Sequence, residues 1–372
     1  MTEATRSRSE LSTAKRVVIK IGSRLLAEDA EGRVGLLCDE VAALRGRGVE
    51  VVVVTSGAIA LGVKRLGLAE RPRHMPGLQA AAAVGQGQLI QLYERALTAR
   101  GLACAQILLT HDDVQDRRRY LNARHALGEL LRLGAVPVIN ENDTVSVDEI
   151  KFGDNDRLAA LVSALLDADV LCILTDVNGL YDGDPATGAK LISAVHDIEK
   201  EARPVAGGTV SGVGTGGMAS KVEAAAVATR FGVVTLVASG RRARAVTSLL
   251  EGVNEGTVFW PATSQLPSRK HWIAFALNPA GSVVVDAGAR RALVDGGKSL
   301  LPSGIRRVEG RFGAGESVRV IDEAGTEIAR GLSSLDSDEI GRVAGRRSSE
   351  VEGLLGYRAA EEVIHRDDLV LV

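Results

Sequence analysis

Short runs of β-branched and aliphatic residues alternate with amphipathic stretches along most of the chain. Residues 15–21 (KRVVIKI) predict a buried strand and 49–55 (VEVVVVT) a second, almost entirely valine. Between them Val34, Leu37, Val41 and Leu44 recur at helical spacing over 33–47, and Gly48 stops the pattern. The alternation continues with a helix from Gly57 onward, a strand at 103–110 and a helix at 117–133. It then runs through strand 135–140, helix 156–168, strand 169–176, helix 217–231 and strand 233–239. Strands that are apolar on both faces and alternate with helices predict an α/β fold: an open, mostly parallel sheet flanked by helices.

The pattern stops near residue 260. PATSQLPSRK at 261–270 has two prolines and several small polar residues, the composition of a connecting segment. Beyond it short strands at 282–287, 306–312, 317–323 and 326–332 are separated by glycine-containing turns, as in a small β-barrel or sandwich. The expected organisation is a large catalytic domain over 1–262, a linker over 263–275 and a small domain over 276–372.

Composition narrows the picture. The 372 residues are 45% apolar and 25% charged, ordinary for a chain with a large core, but contain 42 glycines and only 3% aromatics. The formal net charge of −2 argues against a protein held to nucleic acid mainly by counterion release. No apolar run reaches the ~18 residues of a membrane span, and the polar N-terminus has no signal-like segment, so a cytoplasmic protein is expected. Cys38, Cys104 and Cys172 lie far apart without metal-ligand spacing and read as reduced core thiols.

In an open α/β sheet, ligands gather at the carboxyl ends of strands, and four such junctions carry candidate chemistry. Lys20-Ile21-Gly22-Ser23 can aim a cation at a phosphate; the plain alternative is a solvated strand end. Thr55-Ser56-Gly57-Ala58 turns a strand into a helix whose N-terminus suits an anion, unless Ser56 is only a cap. Asn140-Glu141-Asn142-Asp143 is followed ten residues later by Gly153-Asp154-Asn155-Asp156, two dense polar clusters each joined to an apolar element. These groups suit binding a substrate ammonium, orienting lysines or holding magnesium; the plain alternative for Asp156 is a helix N-cap. Ser211 to Met218 has four glycines within six residues before a helix that carries Lys221, the make-up of a phosphate cradle, though not of a Walker A loop. Gly297-Lys298-Ser299 and the C-terminal His365-Arg366-Asp367-Asp368 echo kinase motifs without their required neighbours and read as incidental. Two lysines, several Asp and Asn and a glycine-rich loop suit phosphoryl transfer, and no Ser/His/Asp or Cys/His set points to acyl transfer.

VVIKIGSRLL, VVVVTSGAIALG, AAVGQGQLIQLYE, VPVINENDTV, IKFGDNDRLAA, LTDVNGLYDGDP and SGVGTGGMASK occur in this order. Together with SLLPSGI, AGRRS and HRDD near the C-terminus, they resemble the glutamate 5-kinase family over nearly the whole chain. The resemblance implies an amino-acid kinase fold with a C-terminal PUA domain. It implies transfer of the ATP γ-phosphoryl group to the side-chain carboxylate of L-glutamate, the first step of proline synthesis, with Mg2+ required. It also implies feedback inhibition by proline and a homo-oligomer, a dimer or tetramer. Carried over by motif, Lys20 would contact ATP phosphates, and Ser56, Asp143 and Asn155 would bind glutamate. Thr175 and Asp176 would lie by the nucleotide. Thr215, Gly216, Gly217, Met218, Ala219, Ser220 and Lys221 would form its loop, with Lys221 neutralising transition-state charge. Asp156 would orient the two lysines; Asp154 has no assigned role, and no residue is assigned to a metal. The chain has KIGSR where the family often has KLGTS or KIGSS, which makes Arg24 an extra cation.

Two rivals follow. Aspartokinase, acetylglutamate kinase and uridylate kinase would share the lysines and glycine loop, but not the NEND and GDND pair or the PUA-like tail. An RNA-binding role for the tail is disfavoured, since residues 271–372 hold 13 Lys and Arg against 16 Asp and Glu.

Overall fold

The computed structural model describes residues 7–115, 117–145, 155–207, 217–261, 279–357 and 361–372. The chain divides into two compact units, Met1–Gln265 and Leu266–Val372. The proposed linker, 263–275, lies outside the described residues.

In the first unit eight strands form one sheet: β1 (Arg16–Ile21), β2 (Glu50–Val54), β3 (Cys104–Leu109), β4 (Val136–Glu141), β5 (Val170–Thr175), β6 (Ala194–Val195), β7 (Val234–Ser239) and β8 (Thr257–Phe259). Their order is β3-β4-β2-β1-β5-β7-β8-β6. All pairings are parallel except β7 with β8. The β-branched runs explain the centre: Val17, Val18, Ile19 and Val51 to Val54 have almost no exposed surface, as expected of strands covered on both faces.

Side chains alternate across a strand, and in β1 this sorts core from chemistry. Val17, Ile19 and Ile21 join the apolar cluster that includes Leu37, Val41 and Leu44 of the Ala30–Gly46 helix and Leu89, Tyr93 and Leu97 of the Met75–Thr98 helix. Val18 and Lys20 point the other way, and there the Asp156–Leu165 helix packs on β1 and on the Met218–Arg230 helix. Cys38 and Cys172 are buried thiols as expected, while Cys104 on edge strand β3 is half-buried.

The second unit holds five strands: β9 (Gly281–Val285), β10 (Ile305–Gly310), β11 (Ser317–Asp322), β12 (Glu327–Leu332) and β13 (Leu369–Leu371). Their order is β10-β9-β11-β12-β13, mostly antiparallel, with β9 and β11 parallel. Val283, Val285, Val318, Val320 and Ile364 sit in a separate apolar core. The two incidental motifs meet here on one cavity of about 670 Å3, whose lining mixes Lys298 and Arg366 with Asp286 and Glu362. That lining has no single charge preference.

Candidate active site

β1 lies between β2 and β5, with Lys20 in register with Val54 on one side and Ile173 on the other. The carboxyl ends of β1, β2, β4 and β5 therefore open on one edge of the sheet, which is where Lys20, Thr55-Ser56, Asn140-Glu141 and Thr175-Asp176 stand. Gly57, at φ +101°, turns the chain from β2 into the Ala58–Arg65 helix through a left-handed conformation that a side chain would strain.

Asp156 is the centre of the arrangement. It begins its helix and its side chain is fully buried. One carboxylate oxygen meets the Lys20 ammonium; the other lies 3.0 Å from Lys221 Nζ. Both lysines are nearly inaccessible, at 4% and 6% side-chain exposure. Lys221 reaches Asp156 from the first turn of the Met218–Arg230 helix, and Ser220 Oγ lies 3.2 Å from the same carboxylate oxygen. The trio carries two positive charges and one negative, an arrangement that favours a bound anion.

Beside it is a cluster of buried amides. Asn155 caps the Asp156–Leu165 helix by position but makes no side-chain cap bond. Its Nδ2 instead donates to the Thr55 carbonyl, to Asn140 Oδ1 at 2.7 Å and, at 3.1 Å, to Ser56 Oγ. Asn140 Nδ2 donates to Gln86 Oε1 at 2.7 Å, and Tyr93 Oη donates to Thr55 Oγ1 at 2.9 Å. Asn155 and Ser56 thus come together, one residue from Asp156.

Asp143 stands in the turn after β4, half-buried. Burial pushes its carboxyl up to about 7; nearby Glu141 acts in the same direction and Arg71 opposes. Among the described residues it makes no hydrogen bond with Ser56 or Asn155. Glu141 is itself buried, with His111 Nδ1 3.5 Å away.

Lys221 also lines a cavity of about 330 Å3, together with Thr175, Asp176, Gly217 and Met218 among others. Arg24 also lines it, and its guanidinium is 3.3 Å from Asp176 Oδ2. Burial alone would raise the Asp176 carboxyl. Hydrogen bonds from its own backbone N–H, from Thr175 and from Arg24 outweigh burial and hold it below the usual range. Ala219 follows Met218 in the helix. Thr215, Gly216 and Asp154 lie outside the described residues.

Sequence reasoning singled out Asn140 only as part of a polar cluster and Thr55 only as part of a strand-to-helix junction, and gave Gln86 and Tyr93 no individual role. Gln86 stands within AAVGQGQLIQLYE, so the motif held the residue but not its partner.

The amino acid kinase family model matches residues 15–239 and the PUA domain model residues 281–355. A glutamate 5-kinase from Trichlorobacter lovleyi is 54% identical over 98% of this chain and 99% of its own. One from Myxococcus xanthus is 52% identical over the whole of both chains. The chain belongs to the glutamate 5-kinase family. It has the amino-acid kinase fold in its first unit and a separate PUA domain in its second. Among solved structures, carbamate kinase from Giardia lamblia bound to AMP-PNP aligns with 68% of this chain and 100% of its own, at 19% identity and a TM-score of 0.49. Among the described residues of this glutamate 5-kinase family member, no helix is long and apolar enough to cross a membrane.

Proposed function

We propose that the protein transfers the γ-phosphoryl group of ATP to the side-chain carboxylate of L-glutamate, giving L-glutamyl 5-phosphate for proline synthesis. The observation that carries this reading is the buried Lys20–Asp156–Lys221 arrangement, with Lys221 also lining a cavity of about 330 Å3 and the Ser56–Asn155–Asn140 amides next to Asp156.

The chemistry asks little beyond positioning and charge. A glutamate carboxylate oxygen attacks the γ-phosphorus in line, and the bond from phosphorus to the ADP oxygen breaks. The carboxylate is already ionised at neutral pH, so no general base is required, consistent with the lack of a catalytic histidine in the assigned set. Lys20 contacts the phosphates, and Lys221 balances the charge that builds on the transferred group and on ADP. Asp156 holds both ammonium groups in place through its two oxygens. Ser56, Asn155 and Asp143 hold glutamate, with Asp143 facing its ammonium. Thr175, Asp176 and the loop from Thr215 to Ser220 hold the nucleotide. Burial of the lysines excludes water from a product that hydrolyses readily.

Use of ATP by this family implies a divalent metal. Among the described residues no three His, Cys, Asp or Glu stand together to cage one, and Asp156 is engaged by two ammonium groups. Such a donor set fits Mg2+ carried on the nucleotide, held mainly by phosphate oxygens and water, where it would neutralise phosphate charge. From the family resemblance we also infer feedback inhibition by proline, a homo-oligomer, and a cytoplasmic location.

The site assignment is tested by Asn155→Ala. Loss of a carboxamide from the glutamate subsite raises the KM for glutamate by about tenfold or more and leaves that for ATP nearly unchanged. An effect confined to ATP would overturn the assignment.

A further inference from the structure

The two hydrogens of a primary amide must each find an acceptor when buried. At Asn155 the Thr55 carbonyl takes one, and it can only accept. Asn140 Oδ1 takes the other at 2.7 Å, with Ser56 Oγ sharing these hydrogens from 3.1 Å. That requires Asn140 to present its oxygen to Asn155 and its nitrogen elsewhere. A flipped Asn140 would set its NH2 against the NH2 of Asn155, donor against donor, at sites only 2% and 5% exposed. The partner that favours the observed orientation is Gln86, whose Oε1 accepts from Asn140 Nδ2 at 2.7 Å.

Gln86 owes its position to a close helix crossing. A Cβ on the adjoining Gly85 would lie 1.8 Å from the Ala58 carbonyl oxygen, and one on Gly62 would lie 1.8 Å from that of Ala81. The Met75–Thr98 helix therefore touches the backbone of the Ala58–Arg65 helix, which begins immediately after Ser56-Gly57. The same crossing sets Gln86 beside Asn140.

We propose that Gln86 is a positioning residue for the glutamate subsite: it holds the Asn140 amide in the orientation that Asn155, set by the Thr55 carbonyl, requires. With its nitrogen held by Thr55 and Asn140, Asn155 turns its oxygen away from them, the polarity needed to accept from a substrate ammonium. The inference rests on the proposed role of Asn155 and Ser56 in glutamate binding.

The test uses the full chain and steady-state kinetics with glutamate and MgATP varied separately, for wild type, Gln86→Met, Asn140→Ala and the double variant. Removing the acceptor raises the KM for glutamate about tenfold, the usual scale of one lost buried hydrogen bond. The KM for ATP stays within twofold and kcat within about threefold, a split that general loosening of the fold would not produce. Because Gln86 acts through Asn140, the double variant has the glutamate KM of Asn140→Ala alone. A Gln86→Met variant with wild-type glutamate KM, or effects that multiply in the double variant, overturns the proposal. If Gln86→Met does not fold, Gln86→Ala takes its place in the same cycle. Failure of the underlying reading is separately visible, because Asn155→Ala would then leave the KM for glutamate unchanged.

Discussion

Two ammonium groups around one buried carboxylate carry a desolvation penalty that only good geometry and a compensating anion can offset. This makes the lysines at Asp156 sensitive to substitution in different ways. Lys221→Ala removes a charge that acts mainly on the transition state, so kcat falls by about 100-fold or more while the KM values move little. Steady-state kinetics check this, and an unchanged kcat would remove Lys221 from the catalytic set. Asp143 provides a second handle at this scale. Its carboxyl is held near 7 by burial and by Glu141, against Arg71, with His111 facing Glu141. Below that pH it is protonated in the free protein and cannot pair with an ammonium. The KM for glutamate therefore rises as pH falls below about 7, approaching tenfold per pH unit, and is flat above it. Glutamate keeps its own charges across neutral pH, so with saturating MgATP the titration belongs to the protein. Asp143→Asn should bind glutamate weakly with a flattened profile; a profile still bending near 7 in that variant would assign the titration elsewhere.

At the level of elements, the crossing of the Ala58–Arg65 and Met75–Thr98 helices supports the substrate side of the site. Gly85→Ala places a methyl against backbone, which cannot rotate away, so the unfolding midpoint falls by the equivalent of about 1–3 kcal/mol or more. The KM for glutamate rises with it, because Gln86 is displaced. Thermal unfolding and kinetics on one preparation check both; a variant as stable as wild type would contradict the close approach. The crossing also shows where sequence reading ran out. The central strands were legible because runs such as Val51 to Val54 leave little choice, and the strand ends then located Lys20, Ser56 and Thr175. The Met75–Thr98 helix was not assigned: its alanines and glycines blur the helical stripe, and its value to the site depends on a contact far away in sequence. Gln86 and Asn140 are 54 residues apart, and nothing local in either pairs them. Strands β6 and β8, two and three residues long, are too short to leave a pattern, and helices such as Ala287–Val294 were hidden in a region read for its strands.

For the whole molecule, the scarcity of aromatics and the abundance of glycine acquire a physical sense. A small aliphatic, charged substrate needs amides, lysines and carboxylates rather than stacking surfaces, and close backbone approaches bring those groups together. Arg24, unusual in its motif, pairs with Asp176 on the wall of the nucleotide cavity. The central claim concerns which carboxylate receives the phosphoryl group. An acyl phosphate is trapped by hydroxylamine as a stable hydroxamate, so the decisive measurement is mass analysis of that product. The purified protein would be incubated with MgATP, hydroxylamine and, in parallel, glutamate, aspartate or acetylglutamate. The account predicts glutamyl 5-hydroxamate, formed only with ATP, in large excess over any product from the other two acids. Hydroxamate from aspartate or acetylglutamate alone, or none from glutamate, would contradict it.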